Sequence, residues 1–244
     1  MKLIVFSILL LFFISVDASE KNEFSKGVAK DKSGNIVYIE KHTSKFVEGN
    51  LVSLNTEYFD PSGSKIGYIN TNYNQSFVPD YEFFDSRNHR KVILRNRKDL
   101  IYSQIQSGKN SNTKNKTFEQ KDNMVAGQGL HAFLIKNLHN FLNNKGYETE
   151  VKFLIPLNKD YYNFSIRYLS ESTTTITLRL ESSHWFLKLL APQIDVTYDK
   201  STQRLVKYKG PSNLLDSKGQ KINVTIKYEY EDQQSTSSLM WRYK

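Results

Sequence analysis

The clearest signal along the chain is a hydrophobic–polar period of two. Val224, Ile226, Tyr228 and Tyr230 alternate with Thr225, Lys227, Glu229 and Glu231. Ile176, Leu178 and Leu180 alternate with Thr175, Thr177 and Arg179, and Tyr162, Phe164, Ile166 and Tyr168 with Asn163, Ser165 and Arg167. Successive side chains of a strand point to opposite faces, so each run has one apolar and one polar face. A sheet with one covered and one wet face favours antiparallel pairing. Further strands are predicted at residues 36–43, 51–59, 65–71, 81–84, 91–95, 100–106, 151–155, 194–198 and 204–208, with residues 28–30 ending a first one. Turn signals such as Asp31-Lys32-Ser33-Gly34-Asn35, Glu48-Gly49-Asn50 and Asp60-Pro61-Ser62-Gly63 separate them.

One stretch departs from this period. Leu130, Phe133, Leu134, Leu138, Phe141 and Leu142 recur at helical spacing, with Gly127 and Gly129 before them and Gly146 where a helix stops. Its apolar stripe needs a sheet to bury against. Residues 107–122 are polar and almost without hydrophobes, which predicts a long exposed loop. The sum is about ten to twelve strands around one helix. A sheet of that size must curl to cover its apolar face. The expectation is a mainly β domain over residues 19–244: a curved antiparallel sheet, half-barrel or open barrel, with an amphipathic helix across its concave side. Two β domains joined through residues 107–122 are the alternative.

The N-terminus carries an address. Lys2 precedes an apolar run at residues 3–16, and Val16-Asp17-Ala18 has the layout of a cleavage site. The run is short for a membrane span, which needs about 20 apolar residues. A signal peptide cut after Ala18 is expected, with no second run of membrane length behind it. The mature chain is then exported without a transmembrane segment, to the periplasm or, alternatively, outside the cell. The Asn-x-Ser/Thr matches at Asn74, Asn115, Asn163 and Asn223 are weak glycosylation signals in so Asn-rich a chain.

Composition narrows the chemistry. The 244 residues include 15 Tyr, 15 Phe and no Cys, with a formal net charge of +9 and a pI near 9.4. The hydrophobic fraction of 39% is enough for a core. Zero cysteine excludes disulfides, Cys-ligated zinc and thiol catalysis. Export turns the basic balance away from nucleic acid and towards anionic envelope surfaces. No cofactor is implied.

Three stretches carry a resemblance. Residues 194–199 (Ile-Asp-Val-Thr-Tyr-Asp) and 205–213, with Tyr208-Lys209-Gly210-Pro211-Ser212-Asn213, resemble a pattern in uncharacterised bacterial exported β-proteins, as does Gly127-Gln128-Gly129. The whole outline resembles, in architecture and not in motif, periplasmic lipoprotein carriers of the LolA/LolB type. These resemblances imply a curved β-sheet and bring no catalytic residue with them.

Candidate sites follow from local chemistry. Arg87, Arg90, Lys91, Arg95, Arg97 and Lys98 form the densest charge cluster, suited to lipid headgroups or acidic polymers and equally to a charged strand edge. Phe133, Leu134 and Leu138 on the helix, with Trp185, Phe186 and Leu189 in the most apolar mature segment, are candidates to line a hydrophobic hollow. His131 and His139 lie roughly 80° apart on a helix, which disfavours a shared metal. Asp80, Glu82 and Asp85 are a small acidic group, and neither Ser62-Gly63-Ser64 nor Gly210-Pro211-Ser212 matches a nucleophile elbow. Nothing positive argues for an enzyme. The expected function is non-enzymatic binding of a lipid or other amphipathic ligand. The alternatives are an envelope scaffold that meets anionic surfaces through a basic face, and an enzyme on envelope carbohydrate or lipid.

Overall fold

The computed structural model describes residues 19–158, 160–183, 193–216 and 218–231. Residues 1–18 and the segment with Trp185, Phe186 and Leu189 lie outside the described residues.

The strands are β1 (Glu20–Lys30), β2 (Ile36–Val47), β3 (Asn50–Phe59), β4 (Lys65–Asn72), β5 (Asp80–Asp85), β6 (Arg90–Arg97), β7 (Leu100–Gln106), β8 (Lys114–Glu119), β9 (Met124–Ala126), β10 (Glu148–Ile155), β11 (Asp160–Glu171), β12 (Thr175–Ser182), β13 (Ile194–Asp199), β14 (Leu205–Leu215) and β15 (Lys221–Tyr230). One helix, α1 (Gly129–Asn143), lies between β9 and β10.

All the described strands belong to one sheet. β1 is at its middle, with β2 to β8 following on one side and β15 down to β9 on the other. Every neighbouring pair is antiparallel except β9 and β10. That exception has a physical cause. Parallel strands need a long crossover connection, and α1 supplies it.

The curvature follows from the connection between the edges. β8 and β9 are the two outer strands, yet Glu119 and Met124 are only five residues apart. Five extended residues span at most about 18 Å, so the two edges are held near one another. Phe118 of β8 accordingly joins Met124 and Leu154 in one apolar cluster. The sheet is a barrel in outline and open in its hydrogen bonding.

The mainly β class, the curved open sheet and the single helix match the expectation, and the strand count is higher than it. Fifteen strands are described against ten to twelve expected. Two strands have no counterpart among the predicted runs, and one of them, β8, falls within residues 107–122, where the sequence predicts a loop. Only Phe118 of β8 is buried, so a polar, Lys-rich edge strand carries no apolar alternation to reveal it. The other, β9, is three residues long.

Two apolar clusters fill the concave side. One joins β2 to β9 with β15 and includes Tyr38, Tyr58, Leu94 and Ile101. The other packs Leu130, Phe133, Leu134, Leu138 and Phe141 of α1 against Val151, Ile166, Leu178 and Tyr198 of β10 to β13. Among the described residues, no helix is long and apolar enough to cross a membrane.

Candidate functional site

The clusters do not close on each other. Between them lies a hollow of about 310 Å³. Its walls are inward residues of both halves of the sheet, Ile69, Phe83 and Val92 on one side and Val196 and Ile226 on the other, with Leu130 and Leu134 of α1 above. Leu157, also on its wall, is 40% exposed and marks where the hollow meets solvent. Protein interiors rarely leave a void larger than a water molecule, and this one has the size at which small-molecule sites begin.

A polar stripe crosses the apolar wall. β2 presents Tyr38, Glu40, His42 and Ser44 inwards at every second position. His42 Nε2 lies 2.9 Å from Glu40 Oε2, and His42 Nδ1 lies 2.8 Å from Thr56 Oγ1, its cross-strand partner on β3. Gln128 Nε2 donates to Thr56 Oγ1 at 2.8 Å, and Thr71 Oγ1 donates to Gln128 Oε1 at 2.6 Å. At the other end, Tyr228 donates to Glu40 Oε2 at 3.1 Å. With the His42 proton on Nε2, every bond in the chain from Thr71 to Glu40 has one donor and one acceptor.

Glycines position both ends of this stripe. Gly127, with φ +51°, turns the chain so that Gln128 drops onto the sheet. A Cβ on Gly129 would lie 1.9 Å from the Phe77 carbonyl oxygen, so only glycine lets α1 start there.

The order carboxylate, imidazole, hydroxyl also occurs in nucleophilic catalysis. Here Thr56 is 1% exposed and is not on the wall of the hollow, and its oxygen already receives Gln128. The arrangement holds α1 on the sheet and offers no nucleophile to a substrate.

His131 is a second imidazole on the wall. Its Nδ1 lies 3.0 Å from the Tyr198 hydroxyl, and the two rings stack. Burial, with a smaller contribution from the neighbouring His42, pushes its pKa down to about 4, so it is neutral at pH 7. Burial also raises the phenols of Tyr38, Tyr58, Tyr198, Tyr208 and Tyr228, which stay protonated and able to donate.

The far end of the hollow is built by the segment that carried the sequence resemblance. Tyr208 folds back to donate to the Pro211 carbonyl at 2.7 Å. A Cβ on Gly210 would lie 2.8 Å from the Tyr208 hydroxyl oxygen, so glycine makes that bend possible. Ser212 donates to the Tyr38 hydroxyl at 2.9 Å, and Asn213 Nδ2 donates to Tyr58 Oη at 3.4 Å.

The basic cluster is divided by the strand period. Arg90, Val92 and Leu94 point inwards. Lys91 pairs with Glu82 at 2.9 Å, Arg97 with Asp80 at 3.1 Å and Arg87 with Asp85 at 3.4 Å. Arg95 donates to the Tyr81 and Leu94 carbonyls, and Lys98 is exposed in a turn with φ +58°. The six cations therefore do not form one face. The three acids separate likewise: Asp80 receives the Asn96 amide, Glu82 takes Tyr68 and Lys91, and buried Asp85 caps the turn after β5.

Of the predicted lining, Leu134 is on the wall, whereas Phe133 and Leu138 are buried between α1 and the sheet. Sequence reasoning missed Tyr38, Glu40, His42 and Tyr58. The available signal was the alternation within β2, where the inward set is itself largely polar.

Among the described residues, no group of three or more His, Asp or Glu side chains could hold a metal ion. No protein-family model matches the chain. None of the curated proteins compared with it is similar. Among solved structures, it is similar to the crystal structure of a beta-barrel-like protein of domain of unknown function DUF1849 from Brucella abortus, with 6% identity over 88% of this chain and 98% of that one, at a TM-score of 0.42.

Proposed function

We propose that the protein is a non-enzymatic binder of a hydrophobic or amphipathic ligand, held in the hollow of its curved sheet, and that it works in the periplasm after export. The observation that carries this reading is the unfilled hollow of about 310 Å³ between two otherwise packed apolar clusters. Leaving such a space open forfeits dispersion and burial that a folded chain otherwise gains. An apolar guest restores both. The resemblance in outline to periplasmic lipoprotein carriers fits a role of this kind.

Protein purified without detergent should therefore carry a co-purified single-chain lipid. Native mass spectrometry should show the adduct, and a fluorescent fatty acid should be displaced from the delipidated protein by unlabelled competitor. Protein that is free of adduct and takes up no probe would count against a ligand-binding role. Export is tested separately by N-terminal sequencing of protein recovered from the envelope. The expected first residue is Ser19, and a retained Met1 would refute the cut after Ala18.

A further inference from the structure

We infer that the ligand is an amphipathic monoanion, a single apolar chain ending in a carboxylate, and that Arg90 holds its head. This rests on the reading of the hollow as a ligand site and names the chemistry of what enters.

Arg90 begins β6 at an inward position and is 9% exposed, and its side chain is on the wall of the hollow. One guanidinium nitrogen donates to the Asn213 carbonyl, and the group lies 5.0 Å from the Phe83 ring centroid. Its Nε–H is buried with no hydrogen-bond partner among the described residues. The cross-strand residue of Arg90 is Asp85, yet that carboxylate is committed elsewhere. Its Oδ1 accepts the amide and Nε of Arg87, and its Oδ2 accepts Asn88 Nδ2 at 3.2 Å. Among the described residues no ion pair involves Arg90. Asp85 acts on Arg90 only through space and makes no contact with it, and a buried cation with no carboxylate in contact is costly, a cost that an anion entering beside it offsets.

The surroundings select the anion. Tyr58 is close enough for the Arg90 charge to act on its phenol. Its oxygen accepts from Asn213, so its own proton is free for an acceptor. A carboxylate has two acceptor oxygens, one for the Arg90 Nε–H and one for the Tyr58 hydroxyl. Glu40 lies on the same wall and repels every added negative charge, so a ligand with one charge is favoured over one with two. The size of the hollow, at the lower end of small-molecule sites, suits one chain and excludes a two-chain lipid.

Decanoate and decanol share a chain and differ in the head, so their affinities separate the role of Arg90 from that of the hollow. Displacement of a fluorescent probe should show wild type binding decanoate about tenfold more tightly than decanol, the ratio expected of a charge-assisted hydrogen bond. Arg90→Met should lose the preference and bind the two compounds alike. Equal wild-type affinities, or a preference that survives Arg90→Met, would overturn the role of Arg90 and leave the hollow as a ligand site. Binding of neither compound by wild type would overturn both. Should Arg90→Met fail to fold, NMR of wild type with bound decanoate, labelled with carbon-13 at its carboxyl, decides the same point. Beside Arg90 that carboxyl should titrate below the free acid, and titration at or above the free acid would refute the contact.

Discussion

The Tyr228 hydroxyl donates to Glu40 across a whole intervening strand. The two residues are on β15 and β2, and β1 runs between them. Gly27 is the cross-strand partner of both. Lacking a side chain, it leaves the gap over which the Tyr228 ring lies, and a Cβ there would be 2.8 Å from Tyr228 Cε1. The contact joins the two halves of the sheet through strands near the beginning and the end of the described chain.

Gly27→Ala should therefore displace Tyr228 and part it from Glu40. The expected loss is about 1–3 kcal/mol, typical of an extra methyl forced into a packed site. Urea unfolding of the variant against wild type measures it. An unchanged midpoint would show that the ring moves freely and that the contact contributes nothing.

Thr56→Val keeps the shape of the side chain and removes the hydroxyl at the centre of the stripe. His42 Nδ1 and the Gln128 amide are then left without their partner. Unpaired buried polar groups cost about 1–3 kcal/mol, and that destabilisation is expected here. Because Thr56 is not on the wall of the hollow, probe affinity per folded molecule should be unchanged. A large loss of binding without loss of stability would instead assign Thr56 to the ligand.

Gly129→Ala places a methyl against the backbone of Phe77, whose carbonyl also receives the Ala126 amide at 3.0 Å. Neither partner is a flexible side-chain end. The seat of α1 should be lost at a cost of about 3 kcal/mol or more. Helical circular dichroism and the urea midpoint should fall together, and a wild-type midpoint would contradict this placement of α1.

His131 makes stability depend on pH. Its folded pKa of about 4 is below the ordinary value of 6.5. Between these values the unfolded chain binds the proton and the folded chain does not. The stabilisation from neutral His131 is complete above pH 6.5 and is lost as pH falls towards 4, with a magnitude on the order of 1–3 kcal/mol. His131→Gln should show a smaller difference in urea midpoint between about pH 7 and about pH 4.5 than wild type. Equal slopes would mean that His131 is freely hydrated.

Much of this architecture was legible because strand alternation is a local signal. Tyr228 and Tyr230, and Leu178 and Leu180, announced their strands directly, and the strand at Leu100–Gln106 coincides with its predicted bounds. The site was less legible because it depends on which face a residue takes. Arg90 and Lys91 are adjacent in sequence and look alike as a charge cluster, yet one is inside and the other outside. Tyr38, Glu40 and His42 alternate with Ile39 and Lys41, so the inward set is no more apolar than the outward set. Their pairing with Gln128 and Tyr228 is set by strands far away in sequence. The same holds for β8, whose polar residues pair only because β7 ends at an open edge.

The most direct test of the hollow as a ligand site is a calorimetric titration of delipidated wild type with decanol at several temperatures. One saturable site per chain is expected, with a negative heat-capacity change, the mark of apolar surface leaving water. Heats that do not saturate, or binding without a heat-capacity change, would contradict it.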